Sequence, residues 1–304
     1  MYDKTDARAT LATASGPAPG PAPKGRVAAP ELADFYREEP QETTAAGSRT
    51  WLTRGQNFVL AYTSAVAGEE FVRTGQPDEY VVVLPHDESA VQVTAAGRTE
   101  TVTGRAVIVV PPGDSTVTAT ADRDLVRLFT SRSEDLAARC GNADSYAEPH
   151  PHVAPFAAWP DPPAGFDLRV YPVADIPEEQ GRFGRIFRCS TFMVNFLYPR
   201  VGPRDPSKLS PHHHDDFEQC SLAVGGEFVH HIRTPWTTDL ADWREDVHHA
   251  CGSPSVAVIP PPTVHTTQAT GQGTNQLIDI FCPPRADFSA KPGWVLNAEE
   301  YPAP

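Results

Sequence analysis

Short runs of apolar and β-branched residues recur between positions 51 and 130, and turn residues separate them: NFVLAYTSA, EYVVVLP, AVQVTAAGRTETVTG, AVIVVPP, STVTATA and LVRLFT. Apolar and polar residues alternate with period two from Thr101 to Val110 and from Val117 to Ala121. This period is typical of strands that bury one face. Many short strands at this spacing predict an all-β sandwich or barrel.

A second block of the same kind follows a Pro-rich segment: LRVYPV, RIFRCSTFMVNFLYP, FEQCSLAVGGEFVHHIRTP, SVAVIPP and NQLIDIFCPP. The only helix that we predict is short, SEDLAAR, with Ser131 or Ser133 as its cap. Two β blocks of similar length, separated by a Pro-rich crossover, indicate a possible internal repeat. We divide the chain into a disordered Ala/Pro/Gly-rich tail (1–28), a first β block (29–141), a Pro-rich linker (142–165) and a second β block (166–304).

Composition excludes several classes of partner. The net charge is −14 and no basic cluster occurs, which argues against nucleic acid and anionic membranes. No apolar run is long enough to span a membrane. The first residues are charged where a secretory signal would be apolar, and the five cysteines are scattered without a C-x-x-C pair. We expect a cytoplasmic protein with reduced thiols that acts on a small molecule.

Histidine is unevenly distributed, because eight of the 11 histidines lie between positions 212 and 265. The run PHHHDDFEQCSLAVGGE holds His212, His214, Glu218 and Gly225 at the spacing H-x-H-x3-E-x6-G. In a strand His212 and His214 point to the same side. A turn at positions 215–216 would then bring Glu218 to the same point, and His265 follows the Pro-rich turn PPPTVH.

Three imidazoles and one carboxylate suit a borderline divalent metal and leave one or two coordination positions for water, substrate or oxygen. The alternative for the histidine run is a solvated surface patch. A glutamate at the right offset and a distant histidine after a proline turn favour the metal.

This arrangement resembles the cupin superfamily, whose two motifs are G-x5-H-x-H-x3,4-E-x6-G and G-x5-P-x-G-x2-H-x3-N. The first motif matches at the four positions above, with Pro206 in place of its leading Gly. The second matches at Pro260 and His265, and the sequence departs from it at Pro254, Pro262 and Ala269.

The resemblance implies two double-stranded β-helix (jelly-roll) barrels, with His212, His214, Glu218 and His265 as the ligands of one divalent metal per chain. It also implies a possible homodimer. Fe(II) is the favoured metal, and Mn(II), Zn(II) or Ni(II) are alternatives.

The first block fits the same template without most of the ligands. Arg73, Gly75, Glu79 and His86 fall at the spacing of the first motif, and Thr116 stands where the second motif has its histidine. The chain therefore resembles a bicupin whose first barrel lacks the metal site. The second block also has a longer loop between its motifs, TPWTTDLADWREDVHHACGSP, which we interpret as a lid or rim.

Other polar residues of the second block are candidates for the same pocket. Adjacent His230 and His231 must face opposite ways in a strand, so one of them faces the barrel interior as a candidate for proton transfer. The candidates for substrate binding are Arg188, Asn195, Tyr198, Cys220, Arg233 and Gln268.

Three functions are compatible with this site. The first is an Fe(II)-dependent oxygenase or dioxygenase acting on a small organic substrate. The second is a non-redox Zn or Mn isomerase or lyase for a sugar-acid-like substrate, and the third is a cupin that only binds a small molecule. We favour the oxygenase because four phenylalanines of the second block would give a dry pocket: Phe192, Phe196, Phe217 and Phe228.

Overall fold

The computed structural model describes residues 25–304, so most of the tail predicted over 1–28 lies outside the described residues. The strands of the first half are β1 (Glu31–Asp34), β2 (Glu42–Thr43), β3 (Arg49–Arg54), β4 (Phe58–Ser64), β5 (Glu70–Gln76), β6 (Tyr80–Leu84), β7 (Ala90–Ala95), β8 (Arg98–Thr103), β9 (Ala106–Val110), β10 (Gly113–Ala119) and β11 (Asp124–Thr130). Those of the second half are β12 (Arg169–Pro172), β13 (Gly184–Arg188), β14 (Met193–Leu197), β15 (Arg200–Val201), β16 (Gln219–Gly225), β17 (Glu227–Arg233), β18 (Val247–Gly252), β19 (Ser255–Ile259), β20 (Val264–Ala269) and β21 (Thr274–Phe281).

Each half forms one large and one small antiparallel sheet. In the first barrel the large sheet has the order β12-β9-β6-β11-β4-β3-β2, and the small one has the order β5-β10-β7-β8. In the second barrel the orders are β1-β19-β16-β21-β14-β13, with β15 on β21, and β18-β17-β20. The prediction of two all-β jelly-roll barrels is confirmed.

The two barrels exchange one strand each. Strand β1 pairs with β19 of the second barrel, with Leu32 opposite Ala257. Strand β12 pairs with β9 of the first barrel, with Val170 opposite Ile108. Each segment covers a sheet edge whose backbone groups would otherwise be unpaired. The predicted division at 29–141 and 166–304 therefore differs from the sheets at these two strands.

The largest apolar cluster lies between the two large sheets. Strand β6 directs Val81 and Val83 into it, and β16 directs Cys220 and Leu222 into it from the other side. Because side chains alternate along a strand, the next residues of both strands must face the barrel interiors. The register of β16 thereby decides which residues reach the interior of the second barrel.

The interiors of the two barrels differ in how their apolar side chains cluster. One large apolar cluster, including Val82, Val93 and Val117, fills the interior of the first barrel. The second barrel has three smaller apolar clusters instead. Buried polar side chains, among them Ser221 and Asp279, lie in the same barrel. An interior with polar groups provides the place for a site.

The helices are short. Helix α1 (Glu134–Ala137) begins after Ser133, close to the predicted position, and α2 (Ala286–Ser289) lies near the C-terminus. Single 3₁₀ turns occur at Phe35–Arg37, Ala143–Tyr146, Pro206–Lys208 and Leu240–Asp242. Within residues 25–304, no helix has the length and apolar character needed to cross a bilayer.

The segment 234–254, predicted to be a lid or rim, contains a strand. Its second half forms β18, which pairs with β17. In its first half Trp236 and Trp243 stack with ring centroids 4.5 Å apart, and Trp236 is 76% exposed. None of these residues lines the cavity described below.

Candidate metal centre

Three imidazoles of the second barrel converge. One ring nitrogen from each of His212, His214 and His265 lies within 4.8 Å of the others. His212 and His265 are joined by two backbone hydrogen bonds, from the His212 N–H (3.0 Å) and from the His265 N–H (2.8 Å) to the opposite carbonyl oxygen. The convergence was predicted from strand alternation, but residues 212–214 form a loop that is attached to β20 by this bridge.

Two of the rings are held in the protonation form that metal binding requires. The Nδ1 atom of His212 lies 2.9 Å from the Ser210 carbonyl oxygen, and that of His265 lies 3.1 Å from the Thr263 carbonyl oxygen. A carbonyl oxygen only accepts, so Nδ1 carries the proton and Nε2 carries a lone pair. Metal-binding histidines are commonly oriented by such contacts.

The third ring is neutral because of its surroundings. His214 is buried, and Phe217 stacks on it with ring centroids 4.4 Å apart. Burial, with the nearby Arg285 charge and the other two imidazoles, holds the pKa of His214 well below its usual value. A neutral buried imidazole is a good ligand for a divalent ion, so this donor set fits a metal.

The fourth donor of the cluster is Gln219. Its side-chain oxygen lies 2.9 Å from Nε2 of His214 and 3.3 Å from Nε2 of His265. Gln219 is the first residue of β16, and its side chain points into the barrel, away from the apolar cluster between the sheets. Three imidazoles and an amide oxygen therefore surround one point.

The structure does not bring Glu218, the predicted fourth ligand, to this point. One carboxylate oxygen accepts a hydrogen bond from the Gln56 N–H (2.6 Å), and the other accepts one from the Tyr146 hydroxyl (3.0 Å). Glu218 has the same facing as Cys220, toward the first barrel, because both lie on the side of β16 that packs between the sheets. Burial raises the pKa of Glu218 to about 7.

Glu79 is the counterpart of Glu218 in the first barrel. It directly precedes β6, as Glu218 precedes β16, and it reaches toward the second barrel. Its carboxylate accepts hydrogen bonds from the Ser190 N–H (3.0 Å), the Ser190 hydroxyl (2.6 Å) and the Tyr301 hydroxyl (2.8 Å). The two glutamates thus join the barrels by equivalent contacts.

Other side chains occupy the corresponding interior position of the first barrel. Tyr80 takes the place of Gln219 as the first residue of its strand. Its hydroxyl lies 3.0 Å from the Ser115 hydroxyl, and its ring stacks on Phe129 with centroids 4.8 Å apart. Arg73, aligned with the first ligand histidine, pairs with Asp135 instead.

A cavity of about 140 Å³ opens beside the cluster in the second barrel. His212, His265 and Gln219 form part of its wall. The other polar lining residues are Tyr198, Arg200, Arg204, Ser210, Thr266, Thr267, Asn275 and Asp279, and the apolar ones are Phe183, Leu197, Phe228, Ala269 and Leu277. Of the six residues predicted to bind substrate, Tyr198 lines this cavity and the other five do not.

The two predicted arginines lie elsewhere. Arg188 donates to the Tyr301 carbonyl oxygen through Nε (3.0 Å) and stacks over Trp159 at 5.2 Å. Arg233 forms an ion pair with Asp246 on the outer face of β17. Both guanidiniums are engaged outside the cavity, so neither is placed to bind substrate there.

The remaining predicted residues also lie outside the cavity. Cys220 is buried between the two large sheets, and Gln268 contacts His231 on the outer face of the small sheet. Asn195 is buried opposite Asp279 on the neighbouring strand, and neither polar atom of its side chain has a hydrogen-bond partner in the described part of the chain.

Strand alternation separates the two adjacent histidines as predicted. His230 is buried, with Nδ1 3.0 Å from the Thr267 hydroxyl, and burial lowers the pKa of its imidazole to about 3. His231 faces outward, with its Nδ1 atom 2.8 Å from Nδ1 of His248. Neither histidine lines the cavity. His230 contacts it indirectly, because its hydrogen-bond partner Thr267 is a lining residue.

Sequence reasoning did not identify Gln219, Asp279, Arg200 and Arg204 as site residues. The sequence carries a signal for Gln219 and for Asp279. Gln219 and Ser221 form the polar face of a strand whose other face is apolar, and Asp279 is a lone acidic residue in the apolar run LIDIF. The two arginines follow Tyr198 in the segment YPRVGPR, where no pattern distinguishes them from surface residues.

No family model matches the sequence, and no curated protein matches it. Solved structures do. An oxalate decarboxylase from Lactobacillus farciminis, in a formate complex, has 13% identity and a TM-score of 0.55, over 86% of this chain and 88% of that one. An oxalate decarboxylase from Bacillus subtilis with Mn(II) centres has 12% identity and a TM-score of 0.55, over 91% and 85%. Vicilin from hazelnut, Corylus avellana, has 12% identity and a TM-score of 0.55, over 83% and 84%.

This chain has the bicupin fold, with two barrels of the cupin type in one polypeptide. The likeness extends over most of each chain at low identity, so it concerns the fold. A decarboxylase and a vicilin share it. The fold alone therefore does not determine what this chain does.

Proposed function

We propose that the second barrel is a divalent-metal-dependent enzyme acting on a small organic anion. The observation that carries this proposal is the convergence of three imidazoles and the Gln219 amide oxygen at the wall of a cavity. A divalent ion bound there supplies Lewis-acid polarisation of a substrate oxygen.

The charge of the cavity wall supports an anionic substrate. The chain as a whole carries a net charge of −14, yet two arginines, Arg200 and Arg204, line this cavity against a single carboxylate, Asp279. Hydrogen bonds to the carbonyl oxygens of Thr267 (3.1 Å) and Lys208 (3.0 Å) fix the Arg204 guanidinium. A fixed guanidinium beside a more exposed one suits a carboxylate or a similar anionic group.

The donor set favours non-redox chemistry, as in a lyase or isomerase that uses Mn(II) or Zn(II). Three imidazoles and an amide are all neutral, so they leave the full charge of the ion to polarise a substrate oxygen. Neutral donors also stabilise the lower oxidation state of an ion such as iron, which opposes oxidation during a cycle.

An Fe(II)-dependent oxygenase is the second candidate, supported by the aromatic residues at the centre. Phe217 covers one face of His214, and Phe228 lines the cavity. Phe192 and Phe196, which were expected to dry the pocket, pack between the two large sheets instead. Two of the four phenylalanines that favoured oxygen chemistry therefore lie outside the pocket.

Metal analysis tests this proposal. The protein is purified without an affinity tag and without oxygen, and its metal content is measured by elemental analysis before and after reconstitution. We expect about one divalent ion per chain, with manganese or zinc giving turnover of small hydroxy or keto acids. Iron with oxygen uptake would select the oxygenase. A protein that takes up no metal under any loading condition would refute the centre.

Substitution of Arg200 tests the substrate class. The Arg200→Gln variant of the Co(II)-loaded protein is titrated with malonate and with neutral malonamide, and binding is followed in the visible spectrum. We expect the dissociation constant for malonate to rise about 3- to 10-fold, because an exposed charged hydrogen bond is lost, with little change for malonamide. Arg233→Gln, on the outer face, is the matched control. Equal effects of both variants would contradict the assignment.

A further inference from the structure

A network of hydrogen bonds lies behind Gln219. Its side-chain nitrogen donates to the Ser221 hydroxyl oxygen (2.9 Å) and to one carboxylate oxygen of Asp279 (3.2 Å). The Ser221 hydroxyl in turn donates to that same Asp279 oxygen (2.8 Å). Asp279 is only 8% exposed and lies on β21, directly opposite Ser221 on β16.

These contacts determine which way the amide is turned. A carboxylate only accepts hydrogen bonds, and the single hydroxyl hydrogen of Ser221 is directed to Asp279, so both neighbours present acceptors to Gln219. The NH₂ group must face them, and the carbonyl oxygen must face the imidazoles. This oxygen lies 2.9 Å from Nε2 of His214 and 3.3 Å from Nε2 of His265, so it is directed at the imidazole cluster.

We infer that Asp279 is a positioning residue that holds the Gln219 amide with its oxygen toward the three imidazoles, so that the metal ligands are all neutral. This inference rests on the proposed metal centre. A glutamate ligand would carry a negative charge at the metal. Here the negative charge lies on Asp279, which is hydrogen-bonded to the ligand Gln219 and does not itself contact the metal.

The same contacts explain why a glutamine, and not a glutamate, occupies this position. A glutamate at 219 would place a second carboxylate within hydrogen-bond distance of Asp279, and two such carboxylates do not both ionise. Asp279 therefore disfavours an anionic ligand at position 219.

The first barrel supports the pairing of these two positions. There Tyr80 replaces Gln219, and Arg127 stands opposite Val82 on the neighbouring strand, as Asp279 stands opposite Ser221. The barrel that lacks the glutamine thus also lacks the aspartate at the corresponding place.

Exchange of the two groups tests the inference. The dissociation constant for Co(II) is measured by chelator competition, together with the visible spectrum, for wild type, Asp279→Asn, Gln219→Glu and the double variant Gln219→Glu/Asp279→Asn. Asp279→Asn should weaken binding about 10- to 100-fold, because its amide no longer fixes the orientation of Gln219. Gln219→Glu alone should bind Co(II) no more than slightly more tightly than wild type, or more weakly. The double variant should bind Co(II) more tightly than either single variant, with an altered spectrum.

The inference would be overturned if Asp279→Asn bound Co(II) as tightly as wild type does. It would also be overturned if the double variant bound Co(II) no more tightly than the single variants. Failure of the metal centre itself is distinguishable, because then wild type would bind no Co(II). If the Asp279 variants do not fold by circular dichroism, Ser221→Ala decides. It should weaken Co(II) binding several-fold with the fold retained, and an unchanged affinity would count against Asp279.

Discussion

Replacing His265 by alanine is expected to lower the affinity of the protein for a divalent metal by more than about 100-fold, since even changes to groups that only orient ligands cost about 10- to 100-fold. His265 supplies one of the three converging imidazoles and is held by two backbone bonds to the loop that carries His212. Metal content after dialysis and chelator competition measure the loss. Circular dichroism should show the fold retained, because the bridge between residues 212 and 265 is made by the backbone.

His213→Ala is the matched control. His213 lies between two of the converging histidines, but its side chain is exposed and lies 3.5 Å from Asp215. We expect this variant to keep its metal. If the two variants lost metal equally, the histidine run would be an unspecific patch, and the assigned centre would be wrong.

Glu218→Ala should lower the free energy of unfolding by about 2–4 kcal/mol at pH 5, because it leaves the Gln56 N–H and the Tyr146 hydroxyl without their acceptor. These groups belong to the first barrel and its following segment, so the loss weakens the contact between the barrels. Metal content should be unchanged, because Glu218 faces away from the imidazoles. Denaturant unfolding and elemental analysis measure the two quantities.

The effect of this substitution should depend on pH. The pKa of Glu218 is raised to about 7 in the folded protein, above its ordinary value of 4.5. The folded state therefore holds a proton that the unfolded state releases, so the contribution of Glu218 is full below pH 4.5 and is lost as the pH rises through 7. Between pH 4.5 and pH 7 this contribution to the free energy of unfolding falls by about 3 kcal/mol. The destabilisation by Glu218→Ala should accordingly shrink toward zero at pH 8.

Glu79→Ala is the natural comparison, since Glu79 makes the equivalent contacts with Ser190 and Tyr301. It should also destabilise the protein and leave the metal in place. A Glu218→Ala protein that lost its metal while Glu79→Ala kept it would show that Glu218 is a ligand after all.

The cluster of histidines illustrates what the spacing of residues reveals. The pattern H-x-H and a histidine after a Pro-rich turn were enough to select the three imidazoles that converge. Backbone bonding between residue 212 and β20 produces this convergence, rather than the strand that the spacing predicted. The exchange of β1 and β12 between the barrels could not be predicted from the sequence, because the residue pattern of a short strand does not indicate which sheet it joins.

The sequence by itself determined the all-β architecture, the two similar blocks and the histidines that converge, because alternation and short motifs are local properties of the chain. Glu218 satisfies the motif with three residues after His214, and Gln219 stands where the longer spacing of four would place the ligand. Only the tertiary structure decided between them, since β16 has two faces and the apolar one, with Cys220 and Leu222, packs against the first barrel. Glu218 is thereby turned to the contact between the barrels, and Gln219 is turned to the site.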